Sequence, residues 1–90
     1  SVIGADLLIK WAPARENAAR ATVVAGLAFD KRAVRRNTIK RRLREILHPL
    51  LPGLRAPANI MVFVNKNAAK RTFAELREEL IILFKKAGLF

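Results

Sequence analysis

The sequence predicts an α+β two-layer sandwich with its elements in the order β-β-α-β-α, within a single domain that covers residues 1–90. Three segments have the short apolar patterns of strands, and two have apolar residues at helical spacing. The length of 90 residues fits one domain, and 52% of the residues are apolar, which is enough for a modest core. Two amphipathic helices of this length need a sheet on which to bury their apolar faces.

The first predicted strand covers residues 6–12, D-L-L-I-K-W-A. Leu7, Ile9 and Trp11 fall on one side of it, as expected for a strand with one buried face. Trp11 could stack on a nucleic-acid base. A lone tryptophan on a strand is more often part of the core, and we predict that role here.

The second predicted strand covers residues 20–29 and is rich in small and β-branched side chains. A polar turn at residues 14–17 separates it from the first strand, and this short connection favours an antiparallel hairpin. Residues 60–64, I-M-V-F-V, are apolar at every position. This pattern predicts a central strand that is covered on both faces.

The first helix is predicted from Ala33 to about His48, where Pro49 ends it. Its apolar stripe comprises Ile39, Leu43, Ile46, Leu47 and Leu50.

The second helix is predicted from a capping box, T-x-x-E, formed by Thr72 and Glu75. Gly88 is placed to end this helix. Its predicted apolar face comprises Phe73, Leu76, Leu80, Leu83, Phe84 and Ala87.

The charge of the chain indicates a polyanionic partner. Eighteen Lys and Arg residues against seven Asp and Glu residues give a net charge of +11, and a compact domain with this charge repels itself. No apolar run approaches the roughly 20 residues of a membrane span. The absence of cysteine excludes disulfides and thiolate metal sites and suits a reducing, cytoplasmic location. We predict no metal site in the chain.

Positive charge is concentrated in one segment. Between Lys31 and Arg44 there are eight basic residues and no acidic one. With Ile39 facing the core, one ridge of the predicted helix points outward and could bind a phosphate backbone, while Asn37 could contact a base edge or a 2′-hydroxyl. The candidate RNA-binding residues are Lys31, Arg32, Arg35, Arg36, Asn37, Lys40, Arg41 and Arg44.

Residues 33–45, A-V-R-R-N-T-I-K-R-R-L-R-E, resemble the R-N-x-x-K-R signature of the bacterial ribonuclease P protein, with matches at Arg36, Asn37, Lys40 and Arg41. The flanking strands and the terminal helix are similar to the family pattern along nearly all of the chain. Thr38 departs from the signature, which often has a further arginine at this position. The family's first helix, which forms one wall of a cleft for single-stranded RNA, has no counterpart in these 90 residues.

The resemblance implies a sheet like that of ribosomal protein S5 domain 2, with a left-handed βαβ crossover. It also implies a non-catalytic protein subunit that binds ribonuclease P RNA and precursor tRNA and supports removal of the 5′ leader. Magnesium ions would be bound mainly by the RNA, and the protein would be a monomer in a 1:1 complex. Lys10 and Phe29 are weaker candidates for leader binding on the open face of the sheet.

Two alternatives remain open at this stage. One is a generic RNA-binding or ribosome-associated α+β domain without a role in tRNA processing, and the other is a basic helix that docks on anionic membrane surfaces. Independent catalysis is not favoured, because no activated nucleophile accompanies the single histidine, His48, which we predict to cap a helix C-terminus.

Overall fold

The computed structural model describes residues 1–15 and 18–90 and confirms the α+β class. The regular elements are β1 (Val2–Ile3), β2 (Leu7–Pro13), β3 (Arg20–Val24), α1 (Ala33–Leu50), β4 (Ala58–Val64) and α2 (Phe73–Lys86). Strand β1 was not predicted, because two residues are too few to show a periodicity. The second strand is shorter than predicted, and a turn in which the N–H of Phe29 donates to the carbonyl of Gly26 follows it.

The four strands form one sheet in the order β1-β2-β4-β3. Strand β4 pairs antiparallel with β2 and parallel with β3, so that Val62 lies opposite both Ile9 and Val23. The central position predicted for β4 is therefore confirmed, and the predicted hairpin between the first two strands is wrong. The six residues that connect β2 to β3 can span about 20 Å. Strands on either side of a third are only roughly 10 Å apart, so a connection of this length does not require β2 and β3 to be neighbours.

Parts of two predictions stay untested. The predicted turn at 14–17 includes residues 16 and 17, which lie outside the described residues. The left-handed crossover and the likeness to ribosomal protein S5 domain 2 stay predictions.

Both helices pack on the same face of the sheet. Every predicted stripe residue of α1 is buried, and so are Leu76, Leu80, Leu83 and Phe84 of α2. They form one core with alternate residues of the strands, including Ile9, Val23, Ile60 and Val62. Trp11 packs against the edge of this core, as predicted.

The opposite face of the sheet is not covered within the described residues. Met61 of β4 is 42% exposed, and Phe63 on the same side is only partly buried. The prediction that β4 is covered on both faces is therefore wrong. An all-apolar strand reveals that one face is buried, but it cannot reveal whether the chain has a second layer for the other.

The helix ends differ from prediction at one point. Helix α1 continues through Pro49 to Leu50, because a proline in the last turn removes only one hydrogen bond near a helix end. In α2 the capping box of Thr72 and Glu75 is present, and Gly88 follows the helix with a φ of 75°, which favours glycine.

An ionic cluster ties α2 to the start of β2. Arg71 lies 2.7 Å from the carboxylate of Asp6 and also approaches Glu75 and Glu79, at 3.5 and 3.9 Å. The backbone N–H of Asp6 donates to Glu79 at 3.2 Å. The side chain of Asp6 is only 10% exposed, so its charge requires this partner. Sequence reasoning missed this cluster, because 65 residues separate Asp6 from Arg71.

Candidate nucleic-acid interface

Helix α1 has the two faces that its sequence predicts. Ile39 and Leu43 are 2% and 0% exposed and face the core. On the other side Asn37, Arg41 and Arg44 are exposed, and Lys40 is partly buried. We call these four residues the basic ridge. It spans two helical turns, about 10 Å along the axis.

The basic ridge is not neutralised by the part of the chain that the structure describes. Within residues 1–15 and 18–90 no carboxylate oxygen lies within 4.0 Å of a charged nitrogen of Lys40, Arg41 or Arg44. Like charges one turn apart repel each other, so the ridge is destabilising for the helix unless an anion binds there. Guanidinium groups in this arrangement can bind phosphate oxygens in bidentate fashion.

Arg36 differs from the other signature residues because its side chain turns back toward the chain. Its Nη1 donates to the backbone carbonyls of Asp30 and Lys31, both at 2.9 Å. The side chain is only partly exposed. Arg36 therefore orders the segment that precedes α1 and also adds a positive charge to this surface.

Asp30 orders the same segment and was missed by the sequence analysis, which counted charge only from Lys31 onward. Its Oδ1 accepts a hydrogen bond from the backbone N–H of Arg32 at 2.8 Å. Its carboxylate also lies 3.7 Å from the guanidinium groups of Arg32 and Arg35. Those two arginine side chains are 69% and 57% exposed, so the ion pairs are weak and leave both arginines accessible.

The start of α1 adds to this surface. Arg32 is the N-cap residue and makes no side-chain capping hydrogen bond, and the first turn of α1 contains no acidic residue. Unsatisfied N–H groups and the helix dipole favour an anion at such a position. Lys31 is exposed beside it. Thr38, the departure from the signature, donates its hydroxyl hydrogen to the carbonyl of Val34 at 2.8 Å and so lies along the helix.

The two weaker candidates for leader binding have different positions. Lys10 is exposed on the open face of the sheet, and its Nζ lies 5.3 Å from the centre of the Phe63 ring. Phe29 is 7% exposed and belongs to the core. Placing Phe29 on the open face was wrong, because the chain turns inward before α1. Phe63 is the aromatic side chain that the sheet register places on that face beside Lys10.

Other sites carry less chemistry. No group of three or more His, Cys, Asp or Glu residues among the described residues could hold a metal ion. None of the described helices is both long and apolar enough to cross a membrane. His48 is exposed in the last turn of α1.

The capping box of α2 lowers the pKa of Glu75 below its ordinary value of 4.5. The largest cause is the hydrogen bond from the backbone N–H of Thr72 to the Glu75 carboxylate, at 2.9 Å, and the side chain of Thr72 adds a smaller effect.

Comparison with known proteins identifies the family to which the chain belongs. A sequence profile of the family described as Ribonuclease P matches residues 1–88, which include the basic ridge. The chain belongs to the ribonuclease P protein family. It is 45% identical over 87 residues to the ribonuclease P protein component of Thermus scotoductus, a match that covers 96% of this chain and 49% of that protein. It is also 43% identical over 68 residues to the Synechococcus protein of the same name, covering 74% and 50% of the two chains. The chain thus spans about half the length of these relatives.

Solved structures of the family have the same fold. The RNase P protein of Thermotoga maritima superposes with a TM-score of 0.82 at 24% identity, over 94% of this chain and 80% of that one. The RNase P protein of Staphylococcus aureus gives a TM-score of 0.77 at 22% identity, over 99% and 81% of the two chains. At these identities the likeness concerns the fold, which confirms the α+β arrangement of sheet and helices.

Proposed function

We propose that the chain acts as a protein component of ribonuclease P and binds the RNA subunit through the basic ridge of α1. The observation that carries this proposal is the basic ridge itself, in a chain of this family: Asn37, Arg41 and Arg44 are exposed and Lys40 is partly buried. Among residues 1–15 and 18–90 no carboxylate oxygen lies within 4.0 Å of its charged nitrogens. Lysine and arginine side chains there would replace the counterions of the RNA backbone, and the amide of Asn37 would contact a base edge or a ribose hydroxyl.

In this proposal the protein supports the removal of the 5′ leader from precursor tRNA without breaking bonds itself. Its positive surface screens the repulsion between two RNA molecules and favours their approach. Lys31, Arg32 and Arg35 extend the ridge toward the segment before α1, where Asp30 and Arg36 order the backbone. Magnesium ions would be bound mainly by the RNA and would supply the hydrolytic chemistry there.

The open face of the sheet is the proposed place for the single-stranded leader. Lys10 provides a positive charge beside the Phe63 ring, and Met61 lies next to Lys10 in the sheet register. A flat surface with an aromatic ring and a cation suits unpaired nucleotides, which stack and are neutralised at the same time. A monomeric protein in a 1:1 complex and a cytoplasmic location complete the proposal.

The test is reconstitution. The protein is mixed with a bacterial ribonuclease P RNA and a 5′-labelled precursor tRNA at a magnesium concentration at which the RNA alone cleaves poorly. We expect the protein to restore leader removal and Arg41→Ala to restore it less. Arg55→Ala is the matched control, because Arg55 is exposed but lies beyond the C-terminal end of α1.

The outcomes separate the competing functions. Tight, salt-dependent RNA binding without any effect on cleavage would favour a generic RNA-binding domain instead. Binding to anionic vesicles without binding to the RNA would favour a membrane surface. Equal losses in Arg41→Ala and Arg55→Ala would mean that net charge, and not the ridge, carries the activity.

A further inference from the structure

Phe73 is an aromatic side chain that the core does not use. Its spacing in the sequence predicted burial, but it is 48% exposed, whereas Leu76 three residues later is 1% exposed. The prediction was wrong because Phe73 is the first residue of α2, where the helix projects past the core. A single exposed apolar side chain is ordinary on a protein surface. The surroundings of Phe73 therefore decide whether it has a role.

Phe73 lies in an open cleft of about 530 Å³ between α1 and the start of α2. Helix α1 contributes two basic side chains and one acidic one to the lining, and the other side of the cleft is formed by the residues around the N-terminus of α2. The lining residues are Arg41, Arg42, Glu45, Arg71, Thr72 and Phe73.

The polar side chains of the cleft are not equivalent. Arg71 is held by Asp6 at 2.7 Å, and the hydroxyl of Thr72 accepts a hydrogen bond from the N–H of Glu75. Arg41 and Arg42 are exposed, and within the described ranges 1–15 and 18–90 no carboxylate oxygen lies within 4.0 Å of either guanidinium. The cleft thus combines an exposed aromatic ring with two cations that are available to an anion.

We propose that this cleft is a stacking site for one unpaired nucleotide of the bound RNA. The base would lie on the ring of Phe73, and Arg41 and Arg42 would neutralise the adjoining phosphates. The carboxylate of Glu45 can accept a hydrogen bond from an exocyclic amine, which would favour adenine or cytosine over uracil. This inference rests on the proposed function and adds a second helix to the RNA-binding surface.

The charge and shape of the cleft favour a nucleotide over a protein partner. Arg41 belongs both to the basic ridge and to the cleft, so an RNA backbone on the ridge passes the opening. Phe73 is the one apolar residue among the six that line the cleft, whereas apolar side chains cluster at protein interfaces.

The first experiment measures affinity for a bacterial ribonuclease P RNA at several salt concentrations. We expect Phe73→Ala to weaken binding by about 5- to 100-fold, the loss typical of one stacked base. Phe73→Tyr retains a ring and should bind within about twofold of the parent. Ile82→Ala is the matched control, because Ile82 lies on the same helix and is 45% exposed but does not line the cleft.

The salt dependence separates stacking from charge. Phe73→Ala removes no cation, so the slope of log K against log salt should stay that of the parent. Arg41→Ala should reduce its magnitude by about 0.7 to 0.9. Parent protein that binds the RNA while Phe73→Ala binds equally well would overturn the stacking site and leave the proposed function standing. Parent protein that does not bind the RNA at all would overturn both.

The second experiment observes the ring itself. The chain has five phenylalanines and no tyrosine, so the aromatic NMR spectrum is simple, and Phe73→Leu identifies the signals of Phe73. Addition of a ten-nucleotide oligoadenylate should move these signals upfield, because a stacked base shields the ring protons, and an oligouridylate should move them less. Unmoved signals in the presence of bound oligoadenylate would refute stacking on Phe73. Equal shifts with both oligonucleotides would refute the role of Glu45.

Discussion

Replacement of Arg36 by lysine separates the charge of this residue from its hydrogen-bonding geometry. In the structure one guanidinium nitrogen donates to the carbonyls of Asp30 and Lys31, both at 2.9 Å. Lysine keeps the charge, but its shorter side chain and tetrahedral head do not reproduce the planar donor group. Alanine removes the charge and the hydrogen bonds together. Arg36→Lys therefore measures the contribution of the hydrogen bonds, and the difference between the two variants measures that of the charge.

The expected magnitude follows from the exposure of the two bonds. The bond to Asp30 is part-buried and that to Lys31 is exposed, so each contributes in the lower part of the usual range of about 0.5–1.5 kcal/mol. We expect Arg36→Lys to lower the free energy of unfolding by about 1 kcal/mol and Arg36→Ala to lower it by about 1–2 kcal/mol. If the same ordering energy supports the RNA-binding surface, Arg36→Lys should weaken RNA binding by about 3- to 10-fold.

Two assays check this expectation. Urea unfolding can be followed by the fluorescence of the single tryptophan, Trp11, which packs against the core. RNA binding at several salt concentrations should give an unchanged slope for Arg36→Lys and a slope reduced by about 0.7–0.9 for Arg36→Ala. An Arg36→Lys variant with the stability and the RNA affinity of the parent would show that the charge of Arg36 matters and that the two carbonyl contacts do not.

Three further predictions concern the fold. Leu43→Ala should lower the free energy of unfolding by about 2–5 kcal/mol in urea titrations, because Leu43 is 0% exposed; a loss below about 1 kcal/mol would mean that α1 is turned differently. Arg71→Ala should lower the free energy of unfolding by about 2–3 kcal/mol, because the carboxylate of Asp6 loses its partner; the loss is smaller than the roughly 3–5 kcal/mol of a fully buried pair, because Arg71 is 30% exposed. Asp6→Asn in the same background should recover part of this loss, and no recovery would contradict the pairing. The lowered pKa of Glu75 stabilises the folded state above pH 4.5, and this contribution is lost as the pH falls through the lower pKa of the folded state. The melting temperature of Glu75→Gln should therefore fall less steeply below pH 4.5 than that of the parent. Parallel curves of melting temperature against pH would exclude the capping carboxylate as the cause.

Most of the candidate interface follows from local sequence patterns. Ile39 and Leu43 define the buried side of α1, and the 3.6-residue period then places Asn37, Arg41 and Arg44 on the outside. The inward turn of Arg36 was not predictable in the same way. It depends on the path of the chain before the helix, which brings two carbonyl groups within reach of the guanidinium.

The same distinction explains the errors at the aromatic residues. Phe73 has the spacing of a core residue, but it is the first residue of α2 and is 48% exposed. A periodic pattern does not say which turns of a helix are covered by another element. Phe29 is the opposite case: it was predicted on the open face but is buried in the core. The strand before it ends early, at Val24, and the chain then brings Phe29 into the core. In both cases the missing information is the position of neighbouring elements.

By itself the sequence determined the α+β class, the two helices, the capping box of α2 and the outward direction of the basic ridge. Each of these depends on interactions between residues a few positions apart, or on the side on which an apolar stripe must be buried. Only the tertiary structure decided that β4 lies between β2 and β3, that Asp6 pairs with Arg71, and that Phe73 joins Arg41 in one cleft. These features join residues far apart in the chain, and the order in which strands and helices pack is set by the whole core and not by any local segment.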